Sequence, residues 1–394
     1  MHLSHVKSYE NLSFAFLSLV LWTFFMASSA PTPLYLIYQQ QWGFSSIALT
    51  LIFSMYAIGM LSALFTVGSL SDYLGRKPVV AGAIILELVS MIIFLQADSL
   101  THLLFARFIQ GCATGMATAV LGAFLLDINS DRATIATSVI PLLATGAGVA
   151  LSSLSVDFGP MPLQLIYALI AIGLAFQLVG VHMLNESISK RPLTFKALRP
   201  SLAIPASAKA TFLAIMPMNI AVWSLNGFFL SLVPSLVKAS ISTTSTSVGG
   251  IVVSLLSFSG AMSVVLLRRK RSDYTNRLGI ILLVIGVAGI LGGVYSSKTY
   301  IYYTSTIIAG FGVGACIISM TKELLPLALP FERASLISAY WVASQLSLIV
   351  PSILVGILVH YAGLTIATYY YGAVVLLLLV ISPIVMSRRL KTIS

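Results

Sequence analysis

Twelve apolar stretches leave this chain one solvent in which to fold. They lie near residues 12–38, 46–70, 79–97, 101–126, 133–156, 163–184, 210–237, 246–267, 278–296, 299–324, 333–360 and 364–387. Each is close to the roughly 20 residues that a helix needs to cross the bilayer hydrocarbon. Lipid offers no partner to a backbone N–H or C=O, so a spanning segment is either a helix or a strand of a closed barrel. None of the stretches shows the roughly ten-residue alternation of a barrel strand. The pattern therefore predicts an all-α membrane protein with twelve transmembrane helices. Composition agrees: 58% of the 394 residues are hydrophobic and 8% charged, whereas a soluble domain carries about a quarter charged residues.

The formal net charge of +11 would suggest nucleic acid in a soluble protein, but its placement along the chain points elsewhere. With the N-terminus inside, 19 of the 22 Lys and Arg residues fall in cytoplasmic segments, two outside (Lys238 and Lys298) and one, Arg107, within a span. That asymmetry is the positive-inside pattern. It predicts a multi-pass protein of the bacterial inner (plasma) membrane with both termini cytoplasmic and no nucleic-acid partner. Lys7, the apolar run after it and the small residues Ala27 to Ala30 superficially resemble a cleavable signal. The run exceeds the usual 7–15 residues, and cleavage would leave an odd number of spans, so it is read as span one. Cys112 and Cys316 lie inside spans far apart in sequence and read as small core residues. The five histidines are scattered, so no metal, cofactor or catalytic cluster is expected, and an enzyme is disfavoured.

The longest polar segment, 185–209, separates six spans from six and predicts an N-terminal bundle (1–184), a cytoplasmic linker and a C-terminal bundle (210–394). The halves echo each other. Ile-Gln-Gly111-Cys-Ala-Thr-Gly115, followed by Asp131-Arg132-Ala133-Thr134, recurs as Ile-Ala-Gly310-Phe-Gly-Val-Gly314, followed by Glu332-Arg333-Ala334-Ser335. Two such matches at nearly the same offset argue for duplication into pseudo-symmetric six-helix bundles. Many secondary transporters place a substrate site between such repeats, near the membrane midplane.

Between spans two and three the chain reads Gly68-Ser69-Leu70-Ser71-Asp72-Tyr73-Leu74-Gly75-Arg76-Lys77-Pro78. Gly68 permits close helix approach, Gly75 a tight turn and Pro78 a helix start, while Asp72 can hold a helix end through its dipole. The segment resembles the signature of the major facilitator superfamily, with Tyr73 where that signature has Arg. The resemblance implies a gating motif formed by Gly68, Asp72, Gly75, Arg76 and Lys77, with Asp127 as the acid at the end of span four. It also implies transport by alternating access. Arg107-Phe-Ile-Gln110-Gly111 resembles a second family element in span four. Thr145-Gly146-Ala147-Gly148 keeps only part of the span-five antiporter element, and Arg268-Arg269-Lys270-Arg271-Ser272-Asp273 keeps the charge but not the glycines of the signature's echo.

An ionisable residue deep in a span is functional by default, which singles out Arg107 and Glu87, whose depths differ by about 7 Å. They are close enough to pair. If Glu87 is paired it is structural; otherwise it is the best proton carrier in the chain. In the family, spans 1, 4, 7 and 10 line the central cavity, so Tyr35, Gln110, Asn219, Trp223 and Asn226 join the expected substrate and proton pathway. The last three fall on one helical face, which interhelical packing would equally explain. With no acid deep in spans 1, 7 or 10, Arg107 favours a neutral or anionic amphipath, as a drug or a metabolite such as a siderophore. The family branch most similar in its compact loops is that of drug:proton antiporters, which implies proton-coupled efflux by a monomer, with a small-molecule substrate, protons and the lipid bilayer as partners. The alternatives are a proton-coupled importer, a non-transporting receptor of the same fold and a lipid facilitator.

Overall fold

The computed structural model describes residues 2–67, 71–186, 204–241, 245–329 and 333–393. Among them, twelve helical segments are long and apolar enough to cross a membrane. The first, Tyr9–Trp42, is broken. Helix α1 (His2–Ser29) stops at Ala30, Pro31 and Pro33, a short 3-10 turn follows at Thr32–Leu34, and α2 (Tyr35–Trp42) resumes. Proline lacks the N–H that would continue the ladder, so the interruption is written in the sequence.

Next come α3 (Ser46–Val67), the single turn α4 (Ser71–Leu74), α5 (Arg76–Leu95), α6 (Leu100–Ile128), α7 (Ser130–Phe158) and α8 (Leu165–His182). After the long polar segment follow α9 (Ala206–Ser231), α10 (Val233–Ile241), α11 (Thr246–Leu267), α12 (Ser272–Ser296), α13 (Thr299–Leu324), α14 (Arg333–Ala362) and α15 (Leu364–Ile393). The described chain forms two compact units, Met1–Leu34 with Met55–Pro200 and Tyr35–Ser54 with Ser201–Ser394.

Span three starts earlier than the sequence reading placed it, at Arg76 rather than near 79. The first N–H groups of a helix need outside acceptors. Glu186 accepts hydrogen bonds from the amides of Arg76 (2.8 Å) and Lys77 (3.2 Å), and Pro78 has no amide hydrogen to satisfy. A carboxylate brought from the far end of the unit thus adds three residues to the helix.

Within each unit the glycines of the repeat do the same work. A Cβ on Gly111 would strike the Tyr56 carbonyl and the Met60 amide of α3, and one on Gly115 the Met60 carbonyl. In the second unit, a Cβ on Gly310 would strike the Leu256 carbonyl of α11, and one on Gly314 the Gly260 carbonyl. The glycines shift by 199 residues and the backbone positions they approach by 200, so the sequence echo is also a packing echo. Lipid provides no hydrophobic push between helices, which makes such close backbone approach a main source of association. Cys112 and Cys316 are free thiols.

Candidate functional site

The first unit buries a polar network at the meeting of α1, α3, α5 and α6. Glu87 and Gln110 are wholly buried and Arg107 is 1% exposed. One guanidinium nitrogen, Nη1 of Arg107, donates to the Ser28 carbonyl (2.7 Å) and to Oε1 of Gln110 (2.5 Å). Nε2 of Gln110 donates to Oε1 of Glu87 (3.1 Å) and to the Ala27 carbonyl (3.0 Å). The Arg107 guanidinium also lies over the Tyr56 ring, 4.6 Å from its centre, a favourable placement for a cation.

The break in span one explains why α1 can take part. Ala27 and Ser28 lie in the last turn of α1, where carbonyls have lost their intrahelical partners. The Arg107 and Gln110 side chains, one turn apart on α6, reach two of these carbonyls. Across the same region, Ser29 Oγ donates to the Thr145 carbonyl (2.9 Å), and a Cβ on Gly148 would strike the Met26 carbonyl. The partial span-five element therefore holds α7 tightly against the end of α1.

Glu87 and Arg107 form no direct ion pair among the described residues. Gln110 stands between them and satisfies one oxygen of Glu87, while Oε2 of Glu87 has no hydrogen-bond partner. Arg107 does not extend outward to headgroups; its charge stays inside the bundle. Gln110, expected in the substrate and proton pathway, is the connection; what spacing arguments missed is that its neutral amide stands between the two charges.

At the basic end of the same unit, Gly75 adopts φ 102°, the left-handed region where glycine carries no penalty. A Cβ there would press on the Glu186 carboxylate at 2.5 Å. The turn delivers Arg76, 8% exposed, to Asp127: Nε lies 3.2 Å from Oδ2, and Nη1 donates to Ser71 Oγ (2.6 Å). Lys77 Nζ donates to the His182 carbonyl at the end of α8 (3.1 Å). The predicted gating residues Gly75, Arg76, Lys77 and Asp127 thus converge. Gly68 and the Asp72 side chain lie outside the described residues. Glu186, which no motif flagged, is the added member; the legible signal was an isolated acid at the end of a span beside a basic linker.

The remaining candidates lie in the second unit. Tyr35 is buried in α2, where Tyr38 stacks on Trp42 at 4.8 Å. Asn219 is wholly buried; Oδ1 accepts from Ser344 Oγ (3.0 Å) and Nδ2 donates to Ser347 Oγ (3.3 Å), tying α9 to α14. Asn226 donates to the Val222 carbonyl of its own helix (2.8 Å). Trp223 is half-buried against Trp341, with ring centres 5.7 Å apart. One sequence face therefore holds three different environments, of which Asn219 is interhelical packing. Among the described residues, no group of His, Cys, Asp and Glu could hold a metal ion.

Comparison with known proteins accords with this architecture. The family model described as Major Facilitator Superfamily matches residues 17–352. The multidrug resistance protein MdtL of Citrobacter koseri is 28% identical over 344 residues, covering 80% of this chain and 84% of its own length. MdtL of Shewanella oneidensis is 34% identical over 169 residues, about two-fifths of each chain. Among solved structures, a mutant of the nucleoside transporter NupG superposes with a TM-score of 0.75 at 13% identity, covering 94% of this chain and 99% of its own. The human organic anion transporter MFSD10 does so with a TM-score of 0.67 at 16% identity, covering 95% and 99%. These two likenesses establish the fold. With the family model spanning both units, and with the signature turn and the span-four element in place, the chain belongs to the major facilitator superfamily.

Proposed function

We propose that this transporter exports a small neutral or anionic amphipath by alternating access, driven by protons moving the other way through Glu87. The observation that carries the reading is the network itself. A carboxyl group wholly inside the bundle has one oxygen on Gln110 and one on nothing, and burying an unpaired charge is costly enough that protonation becomes the natural relief. A proton arriving on Glu87 alters the demand on Gln110. That amide in turn holds Arg107 and the end of α1, so protonation reaches the helix that lines the family's cavity. The names of the bacterial relatives, multidrug resistance proteins, support efflux of drug-like molecules.

In the same reading Arg76 and Asp127 form a gate contact that one access state keeps and the other breaks, with Asp72 as a further gating acid. The transporter works as a monomer in the bacterial inner membrane with both termini cytoplasmic. The divisions 1–184, 185–209 and 210–394 are its moving halves and their linker. Tyr35, Trp223 and Asn226 contribute to substrate contact.

The test is uphill transport in proteoliposomes with an imposed pH gradient, using a panel of neutral, anionic and cationic amphipaths. Wild-type protein is expected to accumulate neutral or anionic members. Glu87→Gln is expected to abolish accumulation while sparing downhill exchange, and Arg107→Ala to impair both. Full pH-driven accumulation by Glu87→Gln would remove Glu87 as the coupling group.

A further inference from the structure

The two repeats treat the same loop in opposite ways. In the first, the protein's own carboxylates meet the turn between spans two and three: Asp127 holds the Arg76 side chain, and Glu186 accepts from the backbone amides of Arg76 and Lys77. In the second, the corresponding turn Arg268–Arg271 joins α11 to α12, and its four basic residues are exposed, as is Arg277 on α12. Among the described residues, the one carboxylate partner for this group is Asp273, 3.7 Å from Arg271, with both side chains at least three-quarters exposed. A pair so exposed contributes little.

The turn is nonetheless built. Lys322 at the end of α13 donates to the carbonyls of Leu267 (3.2 Å) and Lys270 (2.7 Å), and Ser272 Oγ donates to Glu323 (3.0 Å). The backbone is thereby fixed from the inside, and the basic side chains are presented outward. Its place relative to lipid is set by the two spans it connects, which end at Leu267 and begin at Ser272. At about 3.5 Å per residue, a four-residue turn cannot stray far from the hydrocarbon edge. Exposed apolar side chains lead up to it on both helices: Met262, Val265 and Leu266 on α11, then Tyr274 and Ile281 on α12.

We propose that the turn Arg268–Arg271, with Arg277, is a docking surface for the headgroup phosphates of anionic phospholipids. The lipid supplies here the negative charge that Asp127 and Glu186 supply in the first repeat. The chemistry matches: clustered Lys and Arg at the end of a span attract anionic lipid, and guanidinium groups bind phosphate oxygens in pairs.

Native mass spectrometry of the purified full chain, released from micelles holding equal phosphatidylglycerol and phosphatidylcholine, reads the preference directly. Wild-type protein is expected to retain phosphatidylglycerol on the order of tenfold over phosphatidylcholine at low salt, falling as ionic strength rises. The triple variant R268Q/R269Q/K270Q should lose most of that preference, and the charge-keeping swap R268K/R269K/K270R should retain it. If the glutamine variant does not insert, the wild-type salt titration decides: a preference unchanged between 50 and 500 mM salt (about 14 and 4 Å of screening length) overturns the proposal. Equal preference in wild-type and glutamine variants, or loss in the swap, does the same. Glycerol 3-phosphate at millimolar concentration should leave the bound lipid in place, and its displacement of the lipid would mark a site for free phosphate esters instead.

Discussion

Single residues show how a membrane interior tolerates charge. Arg107 is kept inside by two carbonyl-type acceptors and an aromatic face rather than by a carboxylate, which spares the bundle a direct buried ion pair and its desolvation cost. The Glu87–Arg107 pairing that the sequence left open is thus replaced by a relay through Gln110. Glu186 shows the reverse economy at the basic end, where one carboxylate serves two amide donors of a helix start. Glu186→Gln keeps an acceptor but loses the charge that complements the helix dipole, and Glu186→Ala loses both. We expect destabilisation of about 0.5 kcal/mol for the first and about 1 to 2 kcal/mol for the second, read as a stepwise fall in thermal midpoint in detergent. A fall no larger for alanine than for glutamine would show that the cap contributes nothing. The isolated acid Glu186 was visible in sequence but its contact was not, because its partner amides lie more than a hundred residues away and no local pattern records such a contact.

Elements are specified mainly by where two backbones touch. On α6, Gly111 faces α3 backbone directly, whereas a Cβ on Gly122 would meet nothing within 4 Å. The same substitution on one helix should therefore have opposite effects. Gly111→Ala is expected to cost about 1 to 3 kcal/mol, because backbone atoms cannot rotate away as a side chain can. Gly122→Ala is expected to be neutral or to stabilise by up to about 1 kcal/mol through helix propensity. Thermal unfolding of the two purified variants gives the comparison, and equal effects would mean that α3 and α6 do not pack as described. The Gly111 and Gly115 spacing announced a packing face in sequence. What the spacing left open was the partner, since a four-residue glycine interval fits any neighbouring helix.

At the scale of the whole molecule, the basic residues argue for orientation. Single cysteines at Ser189→Cys and Ser240→Cys, in a background with Cys112 and Cys316 replaced, should react with an impermeant thiol reagent from opposite faces of the membrane. Reaction of both from one face would end the proposed twelve-span arrangement with both termini cytoplasmic, because the linker and the α10 region would then share a side.

The sequence by itself determined what depends on composition and period: the number of spans, the helical class, the six-plus-six echo carried by Gly111, Gly115, Gly310 and Gly314, and the turn at Gly75. These follow from local requirements, since lipid forces each apolar run into a helix and only glycine sits easily at positive φ. Only the tertiary structure decided which polar groups meet. That Gln110 stands between Glu87 and Arg107, that Asn219 binds Ser344 and Ser347 of α14, and that Glu186 closes on Arg76 and Lys77 all depend on helices brought side by side from distant parts of the chain. A polar group buried without a partner is costly, but which partner it meets is chosen by packing geometry, which no single stretch of sequence contains.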